Sequence, residues 1–255
     1  MNFAGKSVVI TGASRGIGAE IARGFASEGA YVTVNFLKNE NAAKIIVAEC
    51  QAAGGDAVAI KADVTERSQA FALVEQAIDA FGKIDVLVNN AFRPYQFDPE
   101  QRKLHWELQW TDYQAQFEGA VKSAHCLAQA VLPSMLKRAE GAIVNIATDL
   151  IARPVVPYHD YTTAKAALVG YSRNLAAEVG PMGIRVNTVA PGLVYPTDSS
   201  SSTKEDVKDT IVAQTPLRRI ARPEDVVGPV LFLASDWAQF LTGQTLYVDG
   251  GLIMS

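Results

Sequence analysis

The chain has 255 residues, of which 49% are hydrophobic and 20% charged, a composition typical of a globular protein with a sizeable core. Its 23 Lys and Arg residues against 27 Asp and Glu residues give a net charge of −4, which excludes a nucleic-acid binder that works through overall positive charge. No apolar run reaches the roughly 18 residues of a membrane span, and no leader pattern opens the chain, so we expect a soluble cytoplasmic protein. Cys50 and Cys126 are too far apart in sequence to indicate a ligand cluster, so we expect reduced thiols and no metal.

Short β-branched segments alternate with longer Ala-rich segments along the chain. They predict strands at Ser7–Ile10, Tyr31–Asn35, Ala57–Ala62, Ile84–Val88, Ala142–Ala147, Arg185–Val189 and Thr245–Val248. Helices are predicted over Gly16–Gly29, Glu40–Ala53, Glu66–Phe81, Tyr113–Arg138 and Tyr161–Val179. Apolar strands joined by crossover helices predict a single doubly wound α/β domain over residues 1–255, with a seven-stranded, mainly parallel sheet and helices on both faces.

Two segments interrupt this alternation. Residues 92–112 are long, polar and aromatic, and residues 193–210 carry four consecutive serines and several charges. The composition of 193–210 alone would favour a disordered surface loop. Its position after the carboxyl end of a predicted strand favours a mobile substrate lid, because ligands of such sheets bind at that end.

The first strand runs into the sequence TGASRGIG, which an amphipathic helix follows. Glycines permit a tight strand-to-helix turn and close approach of the backbone to a pyrophosphate, which the helix N-terminus attracts. A glycine-rich turn with no ligand is the alternative. In this context the motif predicts a Rossmann-like dinucleotide site at Gly12, Ser14, Arg15, Gly16, Ile17 and Gly18.

The end of the second strand distinguishes the two nicotinamide cofactors. A carboxylate there would bind the ribose 2′-hydroxyl and repel a 2′-phosphate, but none occurs before Glu40. Arg15 and Lys38 could reach a 2′-phosphate, and Asn35 could donate a hydrogen bond to it. Ordinary solvated charges are the alternative. The sequence favours NADP(H).

Polar residues also follow the next two predicted strands. Asp63 and Val64 follow the third, and Asn89 and Ala91 lie at the end of the fourth. At these carboxyl ends we expect contacts with the adenine ring and a ribose of the cofactor. A local Asx turn is the alternative at either place.

A Tyr and a Lys four residues apart open a predicted helix. The i, i+4 spacing places the phenol of Tyr161 and the ammonium of Lys165 on one helix face. Thr148, at the end of the preceding strand, could lie beside the phenol. A buried Tyr next to a surface Lys is the alternative interpretation of the pair alone.

Taken together, these motifs resemble the short-chain dehydrogenase/reductase family over essentially the whole chain. TGASRGIG, Asn-Asn-Ala at 89–91, Thr148, YTTAK at 161–165 and Ala-Pro-Gly at 190–192 occur in the family's order and spacing. The chain is most similar to the subgroup of 3-oxoacyl-[acyl-carrier-protein] reductases. The resemblance implies further cofactor contacts from Pro191, Gly192 and Val194, and a homotetramer.

The resemblance also implies a mechanism. Tyr161 would be the general acid in carbonyl reduction, Thr148 would hold the substrate oxygen, and Lys165 would bind the nicotinamide ribose. Hydride would pass from the nicotinamide to the carbonyl carbon. We expect the positive charges of Lys165 and the oxidised nicotinamide to lower the pKa of Tyr161.

This sequence departs from the family pattern at several positions. Thr148 replaces the usual Ser and keeps the hydroxyl. Phe92 stands where a Gly usually completes Asn-Asn-Ala-Gly. Ala120 occupies the position of an Asn that holds a relay water, and Gln116, one helical turn away, is the candidate substitute. PGLVYPTD, from Pro191, has one residue more than the family's usual motif.

The sequence is least specific about the substrate, which we expect to be a small carbonyl or alcohol compound or an acyl-carrier-protein thioester. Phe92, His159 and Tyr195 are the candidate substrate contacts, and only Lys137 and Arg138 could form part of a basic docking surface for an acidic carrier. Two other functions stay open: NAD-dependent alcohol oxidation on the same fold, and a non-catalytic NADP-binding sensor or scaffold.

Overall fold

A computed structural model describes residues 1–254 and contains one seven-stranded sheet. The strands are β1 Ser7–Ile10, β2 Tyr31–Phe36, β3 Asp56–Lys61, β4 Val86–Asn89, β5 Gly141–Ile146, β6 Ile184–Pro191 and β7 Thr245–Val248. Their order is β3-β2-β1-β4-β5-β6-β7, and every neighbouring pair is parallel. The doubly wound α/β fold predicted from the sequence is confirmed.

Eight α-helices connect the strands within the described residues. They are α1 Gly16–Ser27, α2 Glu40–Ala52, α3 Arg67–Phe81, α4 Trp110–Phe117, α5 Ser123–Leu136, α6 His159–Val179, α7 Glu205–Gln214 and α8 Pro223–Ala234. The single long helix predicted over 113–138 is interrupted by a π-helical turn at Glu118–Lys122. α7 begins inside the segment 193–210, so that segment is partly helical.

The core has two apolar layers because successive strand residues point to opposite faces. Val8 and Ile10 of β1 pack with α1, α2 and α8, where Phe25 is fully buried. Val9, between them in sequence, packs on the other face with α3, α5 and α6, around Leu73 and Leu127. Both faces of the sheet are therefore covered.

The winding of the chain reverses beside β1. β1 pairs with β2 on one side and with β4 on the other, so the connections after these two strands lead away in opposite directions. This topology opens a crevice at the carboxyl ends of β1 and β4, the usual ligand position in such sheets. None of the helices described in residues 1–254 has the length and apolar character needed to cross a membrane.

Candidate active site

A cleft of about 490 Å³ opens at the carboxyl edge of the sheet. It brings together residues from the ends of β1 to β6 that are far apart in sequence. The predicted site residues that line it are Gly12, Ser14, Arg15, Gly16, Ile17, Gly18, Asn35, Lys38, Asp63, Val64, Ala91, Phe92, Thr148, Tyr161, Lys165, Pro191, Gly192 and Val194.

The glycine-rich turn is packed too tightly for larger residues. Gly12 has φ +62°, and a Cβ on Gly18 would lie 2.5 Å from Nδ2 of Asn90 and 2.6 Å from the carbonyl oxygen of Gly12. The hydroxyl of Thr11 accepts hydrogen bonds from the N–H groups of Asn90 and Ala91 at 3.0 and 2.9 Å. The end of β4 therefore holds the turn in place.

The N-terminus of α1 is left open toward the cleft. The helix begins at Gly16, Arg15 makes no side-chain cap, and the first turn contains no acidic residue. The first N–H groups of a helix have no partner within the helix and carry a partial positive charge. The turn and this helix end thus fit the pyrophosphate of a dinucleotide.

Asn35 has a structural role at the end of β2. Its Oδ1 accepts a hydrogen bond from the N–H of Gly12 at 3.2 Å, and its Nδ2 donates to the carbonyl oxygens of Ile60 and Ala62 at 3.3 and 3.2 Å. The amide therefore joins the glycine-rich turn to β3. Its predicted contact with a 2′-phosphate would have to compete with these bonds.

Two cations flank the position expected for the ribose 2′-substituent. Lys38 is exposed, and Arg15 forms a 2.5 Å ion pair with Asp198. Glu40, the first carboxylate after β2, pairs with Lys44 at 2.7 Å. The carboxylates of Asp198 and Glu40 offset the charges of Arg15 and Lys44, so Lys38 is the excess positive charge among these residues.

The predicted Tyr–Lys pair lies on the first two turns of α6 and is buried. Tyr161 is 7% exposed and Lys165 is 3% exposed. Nζ of Lys165 donates to the carbonyl oxygen of Ile146 at 2.6 Å and lies 5.5 Å from the centre of the Phe92 ring. Burial lowers the pKa of Lys165 to about 8, which still leaves most of the ammonium protonated at pH 7.

The pKa of Tyr161 is shifted in the direction opposite to the sequence prediction. Burial raises it, the negative charge of Asp149 raises it further, and the Thr148 hydroxyl acts against both. The prediction considered Lys165 and an oxidised nicotinamide but neither burial nor Asp149. In the cofactor-free chain Tyr161 therefore keeps its proton at neutral pH, the form that a general acid requires.

Aromatic rings from the segment 92–112 form a wall beside Tyr161. The ring centres of Tyr95 and Phe97 each lie 5.1 Å from that of Tyr161, and Phe92 lies 6.1 Å from it. The hydroxyl of Tyr95 donates to Asp160 at 2.9 Å, which fixes its ring. The position of Phe97 was not predicted, since nothing local in its sequence distinguishes it from other aromatic residues.

Three predicted site residues do not line the cleft. Asn89 is buried within the sheet because its side chain points toward β5. His159 lies beside His105, with ring centres 5.3 Å apart. The ring of Tyr195 lies 3.5 Å from Nζ of Lys208 on α7. Contacts with residues of other elements orient these three side chains. Sequence spacing does not reveal such contacts.

Ala120, at the relay position, lies in the π-helical turn and offers no polar side-chain atom. The same turn carries Gly119, where a Cβ would lie 2.7 Å from the backbone nitrogen of Arg93. Gln116 is buried one helical turn earlier. Its role as a substitute for the usual Asn stays a prediction.

A buried carboxyl that the sequence analysis did not select lies next to Thr148. Asp149 is 5% exposed and lines the cleft. Burial, and next the charge of Asp249, raise the pKa of Asp149 to about 7. The sequence signal for Asp149 was its position directly after Thr148 at the end of a strand. The burial of its carboxyl depends on residues far away in sequence.

The fold and cleft define an oxidoreductase of the kind that binds a nicotinamide dinucleotide. Comparison with known proteins identifies the group: residues 12–253 match the family model described as enoyl-(acyl carrier protein) reductase. The chain therefore belongs to the short-chain dehydrogenase/reductase family.

Curated relatives match the chain over nearly its whole length. The 3-oxoacyl-[acyl-carrier-protein] reductase of Staphylococcus epidermidis is 36% identical over 249 residues, 98% of this chain and 99% of the relative. The 7alpha-hydroxysteroid dehydrogenase of Escherichia coli is 36% identical over 249 residues, 97% of this chain and 94% of the relative. The two relatives act on different substrates, so similarity at this level does not select one.

A solved structure of 7alpha-hydroxysteroid dehydrogenase, complexed with NADH and 7-oxo glycochenodeoxycholic acid, has the same fold. It superposes with a TM-score of 0.89 at 36% identity and covers 98% of this chain and 95% of its own. That neighbour binds NADH, whereas this chain has the exposed cation Lys38 just after β2. Cofactor preference therefore has to be argued from this chain's residues.

Proposed function

We propose that the chain is an NADPH-dependent reductase that converts a small ketone to an alcohol. The observation that carries the proposal is the convergence of Thr148, Tyr161 and Lys165 in one cleft with the glycine-rich turn. A chain that only senses a nucleotide would have no chemical need for this trio.

The reduced nicotinamide, when bound, supplies the hydride. Tyr161 then donates its phenolic proton to the carbonyl oxygen as negative charge develops there. Thr148 donates a hydrogen bond to the same oxygen; its hydroxyl otherwise contacts Asp149 Oδ1 at a long 3.4 Å and is available to reorient. Lys165, protonated at pH 7, would hold the nicotinamide ribose and would stabilise the charge that Tyr161 acquires.

The proposed preference for NADPH rests on Arg15 and Lys38. Replacing both by Ala should weaken NADPH binding at least about tenfold and leave NADH binding within about threefold, because only the 2′-phosphate pairs with them. Fluorescence titration with NADPH and with NADH measures the two dissociation constants. The control is Lys137→Ala, which removes an exposed cation on the far side of the sheet. Equal losses for both cofactors, or tighter binding of NADH to the parent chain, would contradict the assignment.

A small ketone fits better than a carrier-protein thioester. The guanidinium of Arg138 donates to the carbonyl oxygens of Ile84 and Ser134 at 2.6 and 2.7 Å, so it supports the fold. Lys137 is then the remaining cation of the predicted basic docking surface. The rings of Phe92 and Phe97, which line the cleft, suit a compact carbonyl compound with an apolar or aromatic group.

The decisive test of catalysis follows NADPH oxidation with ketones, β-keto esters, acyl thioesters, quinones and sugars. Tyr161→Phe keeps the ring and removes only the acid, so kcat should fall about 100- to 10,000-fold while NADPH still binds. Full activity in the variant would require another proton donor. Tight NADPH binding with no reduction of any compound would favour the sensor function.

We also propose that the chain forms a homotetramer and acts in the cytoplasm. Support for assembly comes from apolar side chains exposed near the C-terminal end of the described chain, which include Trp237, Phe240 and Met254. The cytoplasmic location rests on composition alone.

A further inference from the structure

An ion pair joins the glycine-rich turn to the segment 193–210, which follows β6. Nη1 of Arg15 lies 2.5 Å from Oδ2 of Asp198, and both residues line the cleft. Arg15 is also one of the two cations proposed to bind the 2′-phosphate of NADPH. A cation of the proposed phosphate site therefore already has an anionic partner, which comes from a distant part of the chain.

The carboxylate of Asp198 belongs to a well-ordered turn. Asp198 begins a 3-10 turn that ends at Ser200, and Thr197 caps it. The hydroxyl of Thr197 accepts a hydrogen bond from the N–H of Ser200 at 3.2 Å, and the hydroxyl of Ser200 accepts one from the N–H of Thr197 at 3.0 Å. Ser200 is 2% exposed. Reciprocal capping and burial thus fix the backbone from which the Asp198 side chain extends.

The same turn is attached to the aromatic segment on the substrate side of the cleft. The N–H of Phe97 donates to the carbonyl oxygen of Ser199 at 3.1 Å, and the hydroxyl of Thr203 donates to the carbonyl oxygen of Phe97 at 3.4 Å. These bonds keep the turn in place when Arg15 changes its partner. The guanidinium can therefore move away from the carboxylate, whereas the carboxylate cannot follow it.

A carboxylate and a phosphate use the same donors of a guanidinium. Both accept hydrogen bonds from its N–H groups, most strongly in a two-bond geometry. A phosphate monoester carries a charge of about −1.5 to −2 at pH 7. With Asp198 bound to it, Arg15 has lost most of its net attraction for a second anion, and the two anions repel each other.

We propose that Asp198 sets the cofactor selectivity of the chain by competing with the 2′-phosphate of NADPH for Arg15. This inference rests on the proposed use of NADPH. NADH carries an uncharged 2′-hydroxyl at that position and can bind while the Arg15–Asp198 pair stays intact. The carboxylate therefore weakens the binding of NADPH alone. Asp198 is a positioning residue, because it acts through Arg15.

The exposure of the pair sets the size of the effect. The side chain of Arg15 is 69% exposed and that of Asp198 is 67% exposed, so water and salt weaken their attraction. Exposed ion pairs of this kind change an equilibrium by up to about fivefold. The competition should be strongest at low ionic strength, because screening reduces it as salt is added.

Asp198→Asn tests the competition, since it keeps the shape of the side chain and removes its charge. Fluorescence titration at about 0.02 M salt should show NADPH binding three- to fivefold more tightly, by a rough estimate, with NADH changed by less than about twofold. At about 0.5 M salt most of the gain should disappear. Asp209→Asn, which removes an exposed charge on α7 of the same segment, is the control and should leave both affinities unchanged.

A second background separates competition from direct repulsion between Asp198 and the phosphate. Arg15→Ala removes the shared partner, so adding Asp198→Asn to it should change NADPH affinity by less than about twofold. The four chains form a double-mutant cycle whose coupling energy reports the competition. An equal gain from Asp198→Asn with and without Arg15 would overturn the inference, because the carboxylate would then act on the phosphate directly.

The other outcomes distinguish this inference from the proposed function. If Asp198→Asn leaves NADPH affinity unchanged while Arg15→Ala weakens it selectively, the inference is wrong and the use of NADPH stands. Weaker NADPH binding in Asp198→Asn would also overturn it, because Asp198 would then orient Arg15 toward the phosphate. If Arg15→Ala weakens NADPH and NADH equally, the proposed phosphate site is wrong and the inference fails with it.

Discussion

Burial moves the two titratable members of the proposed catalytic trio, Tyr161 and Lys165, toward their uncharged forms. A cleft of low polarity disfavours both phenolate and ammonium, so the pKa of Tyr161 rises while that of Lys165 falls to about 8. Asp149 adds to the effect on Tyr161. Tyr161 therefore carries the proton that carbonyl reduction requires before the cofactor contributes any charge.

Asp149 should also make the stability of the chain depend on pH. Its pKa is raised from 3.8 to about 7 in the folded chain, so the folded state holds the proton more tightly than the unfolded state. Stability associated with this group is therefore full below about pH 4 and is lost as pH rises through 7. At pH 8 the penalty is about 2–4 kcal/mol.

Asp149→Asn should remove this penalty. The variant should be more stable than the parent chain at pH 8, by an amount that shrinks toward pH 5. Urea unfolding at the two pH values measures the difference. A stability difference independent of pH would show that Asp149 is ionised throughout this range.

At the scale of elements, the site depends on close packing between the turn after β1 and the end of β4. Gly18 is the tightest point, because a Cβ would meet both Asn90 and the carbonyl oxygen of Gly12. Gly18 also lies in the first turn of α1 and lines the cleft. Cofactor binding and local packing are therefore coupled at this position.

Gly18→Ala should weaken NADPH binding at least about tenfold, because the turn must open to admit the methyl group. Gly170→Ala on α6 is the matched control, since a Cβ there meets nothing within 4 Å. It should stabilise the chain by roughly 0.5–1 kcal/mol and leave binding unchanged. Titration with NADPH and thermal unfolding compare the two; unchanged binding in Gly18→Ala would mean that the pyrophosphate lies elsewhere.

At the scale of the whole molecule, the segments 92–112 and 193–210, which interrupt the alternation of strands and helices, meet across the cleft. The N–H of Phe97 donates to the carbonyl oxygen of Ser199 at 3.1 Å, and Lys204 pairs with Glu100 at 2.5 Å. The segment 193–210 is thus anchored to the aromatic segment 92–112.

The exposed apolar surface is the other feature at this scale. Phe240 is fully exposed and lies close in sequence to the exposed Trp237. Placing a charge there should prevent subunits from burying this surface. Phe240→Glu should therefore reduce the assembled mass, while Ile45→Glu, on the exposed face of α2, should not.

Light scattering coupled to size-exclusion chromatography measures the molar mass of the parent chain and of both variants at one protein concentration. A parent chain that elutes as a monomer would contradict the proposed tetramer. An unchanged mass for Phe240→Glu would place the interface on another surface.

Much of the architecture could be predicted from local sequence. Each predicted strand lies within one or two residues of a strand of the structure, since parallel strands buried on both faces are continuous apolar runs. The glycine-rich turn and the Tyr161–Lys165 pair are also local, because tight turns and helical spacing are set by neighbours in sequence. The sequence alone thus determined the fold, the position of the glycine-rich turn and the spacing of the proposed catalytic pair.

Only the tertiary structure decided how these groups are tuned and which neighbours they meet. The burial of Asp149, the rise in the pKa of Tyr161 and the exclusion of His159 and Tyr195 from the cleft depend on residues far apart in sequence. The same holds for the π-helical turn at Glu118–Lys122. Desolvation and side-chain orientation are properties of the packed environment, which sequence spacing does not record.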